Sequence, residues 1–322
     1  MADAMRAVAI GADHTVSVEQ TGKPVPAAGE VLIAVAYAGL NRADLLQRRG
    51  FYPPPPGASP IMGLEVSGTV AAVGAGVSRW KAGDQVCALL AGGGYAEYVA
   101  APEGSVLSLP AGISLEQAGA LMEATFTVFA NVFEAGGLKP DETLLIHGGA
   151  SGIGTTGIQM ARAHGAKVFA TAGDEAKCAL VAQLGARAIN YRAEDFEAIV
   201  KAEGGADVIL DMVGGPYVQK NINLANRGGR IVNIAYVEGA KAEVNFMPVM
   251  LKSLIITGST LRARAIAEKA RLAREVEARV WSWIEAGKVK PVIDSVFALE
   301  DVDAAHTRMA VSKHAGKILL KM

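Results

Sequence analysis

The segment TLLIHGGASGIGTTGIQMARAHGAKVFATA, residues 143–172, decides the fold. A short apolar run, Thr143–Ile146, leads into a glycine-rich turn. A stretch with helical periodicity and a small-residue face follows, and then a second apolar run. Strand, turn, helix and strand in that order form one βαβ unit of a parallel sheet. The turn carries Gly152-x-Gly154-x-x-Gly157, with Ile153 between the first two glycines. Each glycine has a physical use: the first allows the tight turn, the second a close approach of pyrophosphate to backbone, the third close packing of helix on strand. Phosphates would then sit on unpaired N–H groups at a helix N-terminus.

Downstream the alternation continues through RAINY, ADVILDMV, RIVNIA and SLIITGS, with helical stretches between. That spacing is the pattern of a doubly wound parallel sheet. Upstream the chain changes character. Before Pro110 it offers short β-branched runs (Val31–Val35, Val66–Val73, Gln85–Leu89) divided by Gly/Pro punctuation, and FYPPPPGASP must be an extended surface loop. SLEQAGALMEATFTVFANVFEA is helical, with Ser114 as N-cap and Gln117 at the capping-box position. Beyond Leu261 comes a charged helix with Trp281, Trp283 and Ile284 turned inward, and the chain ends on an apolar strand. Residues 123–261 are expected to form the dinucleotide-type domain, with 1–122 and 262–322 sharing the other.

Composition excludes several classes. With 322 residues and 51% hydrophobic content, two domains are expected. A formal charge of −1 gives no footprint for nucleic acid or anionic membrane. Cys87 and Cys178 are the two cysteines, too few for a four-thiolate zinc site or a disulfide framework. The N-terminus lacks a signal-peptide h-region and no run is long enough to span a bilayer, so a soluble, cytoplasmic setting is expected. His14, His164, His306 and His314 are read as surface residues, and His147 as a packed or backbone-bonded one.

The end of the second strand speaks to the nucleotide. An acid at position 172 would grip the ribose 2′-OH of NAD and repel a 2′-phosphate. Here Ala172 and Gly173 leave room, Lys177 could neutralise the phosphate, and Tyr191 could add a hydroxyl or ring contact. NADPH is the expected cofactor, although Asp174 is an unfavourable neighbour for a phosphate unless it points away. Two look-alikes fail. Short-chain dehydrogenases need Tyr-x-x-x-Lys, and Tyr217-Val-Gln-Lys220 is one residue too short. A serine-hydrolase elbow at Ser151 needs glycine where Ile153 stands.

GLNRADLLQRRGFYPPPPG, IMGLEVSGTVAAVGAGV, GGGYAEYV and ITGSTLRAR, in that order with the turn, resemble the medium-chain dehydrogenase/reductase superfamily. Within it they are similar to the zinc-independent NADPH:quinone oxidoreductases. The resemblance implies a Rossmann-type doubly wound sheet plus a mainly β GroES-like catalytic domain. Its zinc-dependent cousins carry a catalytic Cys and His where this chain reads Gly39-Leu40-Asn41 and Gly63-Leu64-Glu65, so no metal is expected. By the same resemblance Asn41, Tyr52 and Thr127 are expected beside the nicotinamide as catalytic residues, and Gly214, Leu261, Arg262 and Lys317 as further cofactor contacts. Asp44 and Glu65 are read as fixing local structure. The implied activity is metal-free hydride transfer from NADPH to an ortho- or para-quinone. The alternatives are reduction of a 2-alkenal, enone or enoyl thioester, and a non-catalytic NADPH-binding protein. A homodimer is expected, because LIITGS would otherwise leave an apolar sheet edge exposed.

Overall fold

In the computed structural model, which describes residues 4–322, the chain divides into two units. The first gathers the described residues up to Glu123 with Arg262–Glu285 and Pro291–Met322, and the second comprises Ala124–Leu261 and Ala286–Lys290. In chain order the first unit begins with β1 (Ala4–Ile10), β2 (Val16–Gly22), β3 (Glu30–Gly39), α1 (Arg42–Arg48), β4 (Glu65–Val73), β5 (Gln85–Leu89), β6 (Tyr98–Pro102), β7 (Val106–Ser108) and α2 (Leu115–Ala118). β1 and β2 form a hairpin, and β3, β4, β5 and β7 form consecutive antiparallel neighbours, with β6 also on β3. β-branched residues recur along these strands, and Val31, Ile33, Val66 and Val86 lie fully inside. Ser114 does cap α2: its hydroxyl accepts from Gln117 N–H, and the Gln117 side chain returns to the Ser114 amide.

The second unit starts within α3 (Met122–Val128), which runs on into a wider π turn over Phe129–Ala135. Then follow β8 (Thr143–Ile146), α4 (Gly152–His164), β9 (Lys167–Ala172), α5 (Glu175–Gln183), β10 (Arg187–Asn190), α6 (Phe196–Ala202), β11 (Ala206–Asp211), α7 (Tyr217–Leu224), β12 (Ala225–Asn233), α8 (Met247–Lys252) and β13 (Ile255–Gly258). All six strands are parallel, in the order β10-β9-β8-β11-β12-β13. The order reverses between β8 and β11, the place where open α/β sheets keep their ligand crevice. The central strands are covered on both faces: Leu144, Leu145, Ile146, Val208, Ile209 and Leu210 have no exposure at all. At about 1.5–3 kcal/mol for each buried aliphatic side chain, this row anchors the sheet.

After Leu261 the chain returns to the first unit as α9 (Ile266–Glu285), β14 (Ile293–Ala298), α10 (Val302–Ala310) and β15 (Lys317–Lys321). α9 buries Leu272, Ala273, Val276, Val280, Trp281 and Ile284 along one stripe, and Trp281 Nε1 donates to the Ser108 carbonyl. Trp283 is only half-buried. β15 pairs antiparallel with β3, Leu319 opposite Gly39, so the chain's end completes a sheet begun near its start. One histidine departs from the sequence reading. His306, expected at the surface, is buried, because Val302, Ala305, His306 and Met309 share the inward face of α10.

Candidate functional site

The glycine turn lies at the carboxyl end of β8. The left-handed residue is Gly148, at φ 69°, and Gly152 is already the first residue of α4. The tight turn assigned to Gly152 from sequence therefore belongs to Gly148. Ser151 caps α4: its hydroxyl accepts from Gly154 N–H at 3.0 Å, and its carbonyl accepts from Thr155 N–H. Among the described residues, the amides of Gly152 and Ile153 are left without a protein acceptor, and they head the helix dipole. Gly154 has to be glycine for a reason nearer than any ligand, since a Cβ there would collide with the Gly148 carbonyl oxygen and the Gly149 backbone. A Cβ on Gly157 would come within 2.9 Å of Ile146 Cδ1, which is the close helix–strand packing expected of the third glycine.

Next to this turn, β9 and β10 run side by side with Asn190 opposite Ala172, and Tyr191 N–H donates to the Ala172 carbonyl. The register brings the Tyr191 hydroxyl over Gly173, 2.8 Å from where a Cβ would stand. Asp174 is the N-cap of α5. One of its oxygens accepts from Lys177 N–H at 2.9 Å, and the other lies 3.9 Å from Lys177 Nζ. Gly173, Lys177 and Tyr191 thus share one rim, and Asp174 is held on it by the helix it caps. On the other side of β8, Gly214 follows β11 with φ 68°, and its N–H donates to Asp211 Oδ1. The parallel sheet therefore presents a helix start, a cation and two glycine turns along one edge. Chemically that edge suits a ligand carrying phosphate groups.

Thr127 and Leu261 also belong to this unit, 7% exposed each, and Asn131 Nδ2 donates to the Thr127 carbonyl while Asn131 Oδ1 accepts from the Ser259 hydroxyl.

The first unit holds the other expected residues, and it uses them differently. Lys317, 5% exposed, donates from Nζ to the Leu40 carbonyl at 2.8 Å, Asn41 Oδ1 at 2.7 Å and Glu65 Oε1 at 2.5 Å. An ammonium has three protons, and all three are spent here. Asn41 Nδ2 in turn donates to the same Glu65 oxygen, and Glu65 Oε2 accepts from Glu123 N–H. Asp44 caps α1 by accepting Asn41 N–H, and it also accepts the Tyr95 hydroxyl. Burial pushes Asp44 up to about 6 against the pull of that hydroxyl, and burial beside Glu65 pushes Glu123 up to about 8. Sequence reasoning placed Asp44 and Glu65 in structural roles, which this geometry matches. It did not foresee Lys317 against Glu65, since the two stand 252 positions apart and nothing local announces the pair.

Arg262 is buried and donates to the carbonyls of Ala91 and Tyr52 and to Gln47 Oε1, with its guanidinium 5.3 Å from the centre of the Tyr52 ring. It therefore anchors the proline-rich loop on which Tyr52 stands. Burial, with Glu123 nearby, raises the Tyr52 phenol above its ordinary value, so the hydroxyl keeps its proton.

Known proteins place this architecture. Residues 27–111 match the alcohol dehydrogenase GroES-like domain family, and residues 152–279 match the zinc-binding dehydrogenase family. Quinone oxidoreductase from Lama guanicoe is 34% identical over 305 residues, covering 92% of this chain and 90% of that protein. The Escherichia coli quinone oxidoreductase, solved in complex with NADPH, superposes with a TM-score of 0.87 at 29% identity, covering 99% of each chain. The CurK enoyl reductase superposes with a TM-score of 0.86 at 26% identity, again covering 99% of each. The zinc in the second family's name does not fit this donor set. Among the described residues no three His, Cys, Asp or Glu side chains gather to hold a metal, and an ammonium group already sits on Asn41 and Glu65. The matches along nearly the whole length make this chain an oxidoreductase of the medium-chain dehydrogenase/reductase superfamily, a member of its quinone oxidoreductase family.

Proposed function

We propose that the protein reduces a quinone with NADPH, by hydride transfer that uses no metal. The observation that carries the cofactor is the sheet edge: outward amides of Gly152 and Ile153, and beside them a rim with Ala172 and Gly173 in place of an acid, faced by Lys177 and Tyr191. When bound there, NADPH supplies the hydride. The protein's part is to hold and orient. The α4 N-terminus and the Gly214 turn receive the pyrophosphate, and Lys177 faces the 2′-phosphate with the Tyr191 hydroxyl close by. Leu261 stays in the proposal as an apolar cofactor contact. Arg262 and Lys317 serve it from a distance, one fixing the Tyr52 loop and the other fixing Asn41. Tyr52, whose phenol holds its proton, donates a hydrogen bond to the acceptor oxygen, and Asn41 and Thr127 supply further polar contacts. A quinone needs no Lewis acid, because its ring stabilises the developing oxyanion, so positioning alone can supply much of the rate.

The enoyl-reductase neighbour supports a second reading, delivery of the same hydride to the β-carbon of an enal, enone or enoyl thioester. Steady-state kinetics with a panel of quinones and 2-alkenals, each with NADPH and NADH, decides between them. The first reading expects the highest kcat/KM with NADPH and an ortho- or para-quinone. Turnover of alkenals alone would replace it with the second, and a preference for NADH would overturn the role given to Lys177.

A homodimer is part of the proposal. β13 is an edge strand whose Ile255 and Ile256 are exposed, and Phe246, Met247, Met250 and Leu251 on and beside α8 are exposed as well. A second copy is proposed to cover this apolar face. Light scattering at micromolar concentration is expected to give twice the chain mass, and a monomer would refute it.

A further inference from the structure

Asp211 and His147 lie under the sheet edge just described, and neither is exposed at all. Among the described residues, no lysine or arginine is paired with Asp211. Instead four N–H groups converge on its carboxylate: the backbone amides of Val213 at 2.7 Å and Gly214 at 3.1 Å on Oδ1, and the side-chain amides of Asn221 at 3.1 Å and Asn233 at 3.2 Å on Oδ2. Asp211 is thus purely an acceptor, which fixes every proton beyond it. Asn221 turns its NH₂ to Asp211, so its Oδ1 must accept, and it does so from His147 Nε2–H at 2.8 Å. The imidazole then carries its proton on Nε2 and leaves Nδ1 bare. Nδ1 accepts the Thr171 hydroxyl at 3.2 Å, and the Thr171 oxygen accepts Gly148 N–H at 3.3 Å. The Thr171 carbonyl meanwhile accepts Gly149 N–H at 2.8 Å.

The two ends of this chain are Gly214, in the turn after β11, and Gly148, in the turn after β8. β8 and β11 are paired neighbours, and the strand order reverses between them. One run of hydrogen bonds, polarised from Gly148 toward Asp211 and met there by the Gly214 N–H donating from the other side, therefore ties the two lips of the crevice together. The ring that joins them is further clamped by Phe196 and Tyr217, at centroid distances of 5.0 and 4.8 Å. Burial holds His147 below its ordinary range, which keeps the imidazole neutral.

We propose that His147, as the neutral Nε2–H tautomer, is a positioning residue that sets the spacing between the Gly148 and Gly214 turns and thereby the affinity for the dinucleotide. The inference rests on the nicotinamide-nucleotide reading above. It requires no contact between His147 and the ligand. It predicts a defect confined to nucleotide binding, because the wire reaches the lips of the crevice and no reacting atom.

The test is calorimetric titration of the full-length protein with NADPH, alongside kinetics with a para-quinone. Thr171→Val keeps the shape of the side chain but leaves His147 Nδ1 without a donor and Gly148 N–H without a side-chain acceptor. The expected result is a Kd and KM for NADPH raised about tenfold, roughly 1.4 kcal/mol, with kcat at saturation unchanged and with Thr171→Ser restoring wild-type binding. His147→Gln keeps the donor to Asn221 and loses the acceptor for Thr171, so it gives a rise of the same kind, readable if Thr171→Val does not fold. Variants that melt earlier but bind NADPH as wild type does would reduce the network to a structural role and overturn the proposal. So would a fall in kcat at unchanged KM. Wild-type protein that does not bind NADPH at all would instead overturn the reading on which the proposal rests, and this one with it.

Discussion

Glu65 in one unit and Asp211 in the other are buried carboxylates matched in opposite ways. In the mainly antiparallel unit, Glu65 is matched by Lys317, ion against ion, with Asn41 bridging them. In the parallel unit, Asp211 is matched by dipoles alone, two backbone and two amide N–H groups. The sheet types explain much of this. The carboxyl edge of a parallel sheet gathers turns whose backbone amides point inward, so a carboxylate there finds donors in the main chain. β3 and β15 pair antiparallel and use their own amides in the ladder, so a carboxylate beside them needs a side chain for its partner.

The largest effect expected from this contrast is on Lys317. Lys317→Met strands the Glu65 carboxylate inside the protein and is expected to cost about 3–5 kcal/mol in denaturant unfolding. Glu65→Gln in the same background should recover a good part of that, whereas additive losses would mean the two do not act as a pair. His306 comes next, a buried polar group of the first unit: neither ring nitrogen has a hydrogen-bond partner among the described residues, and burial pushes the imidazole down to about 4. An unfolded histidine titrates near 6.5, so between these values the unfolded chain binds the extra proton. Stability is therefore full above about pH 6.5 and falls as the pH drops toward 4, by about 3 kcal/mol in all. Unfolding midpoints measured across that range should lose this slope in His306→Phe, and an unchanged slope would assign the acid sensitivity elsewhere. The smallest effect belongs to Asp211→Asn. The two N–H groups on one carboxylate oxygen lose their acceptor while the two on the other keep theirs, for about 1–3 kcal/mol. A loss as large as that of Lys317→Met would erase the distinction between the two clusters.

How far the sequence was legible depends on the reach of each signal. Local signals survived translation into structure. The Val/Ile runs became the six parallel strands, Ser114 and Gln117 formed their capping box, and Tyr191 emerged at the end of the third strand of that sheet. Signals that need a partner from afar did not survive. Lys317 was assigned toward the cofactor, and the strand register that brings it to Asn41 was invisible before β15 was seen against β3. The partners of His147 come from β9 and α7, and Asp211 behind Asn221 comes from the end of β11, three elements with no shared motif. The misplacement of Gly152 is instructive too. A glycine spacing marks a turn, but which glycine takes positive φ depends on where the helix cap falls, and Ser151 sets that here. His306 could have been found, because Val302, Ala305 and Met309 already spelled out an inward face with position 306 on it.

The antiparallel pairing of β15 with β3 bears on the order in which the protein is made. By the time residue 258 has been synthesised, all six strands of the parallel sheet exist, and that unit can begin to condense on the ribosome. The other unit gains the β15 side of its sheet only once Lys317–Lys321 have been made, since β3, already paired with β4 and β6, takes β15 along Tyr37–Gly39. Until then that flank of β3 is an unpaired edge, and there the nascent chain is most exposed to mispairing.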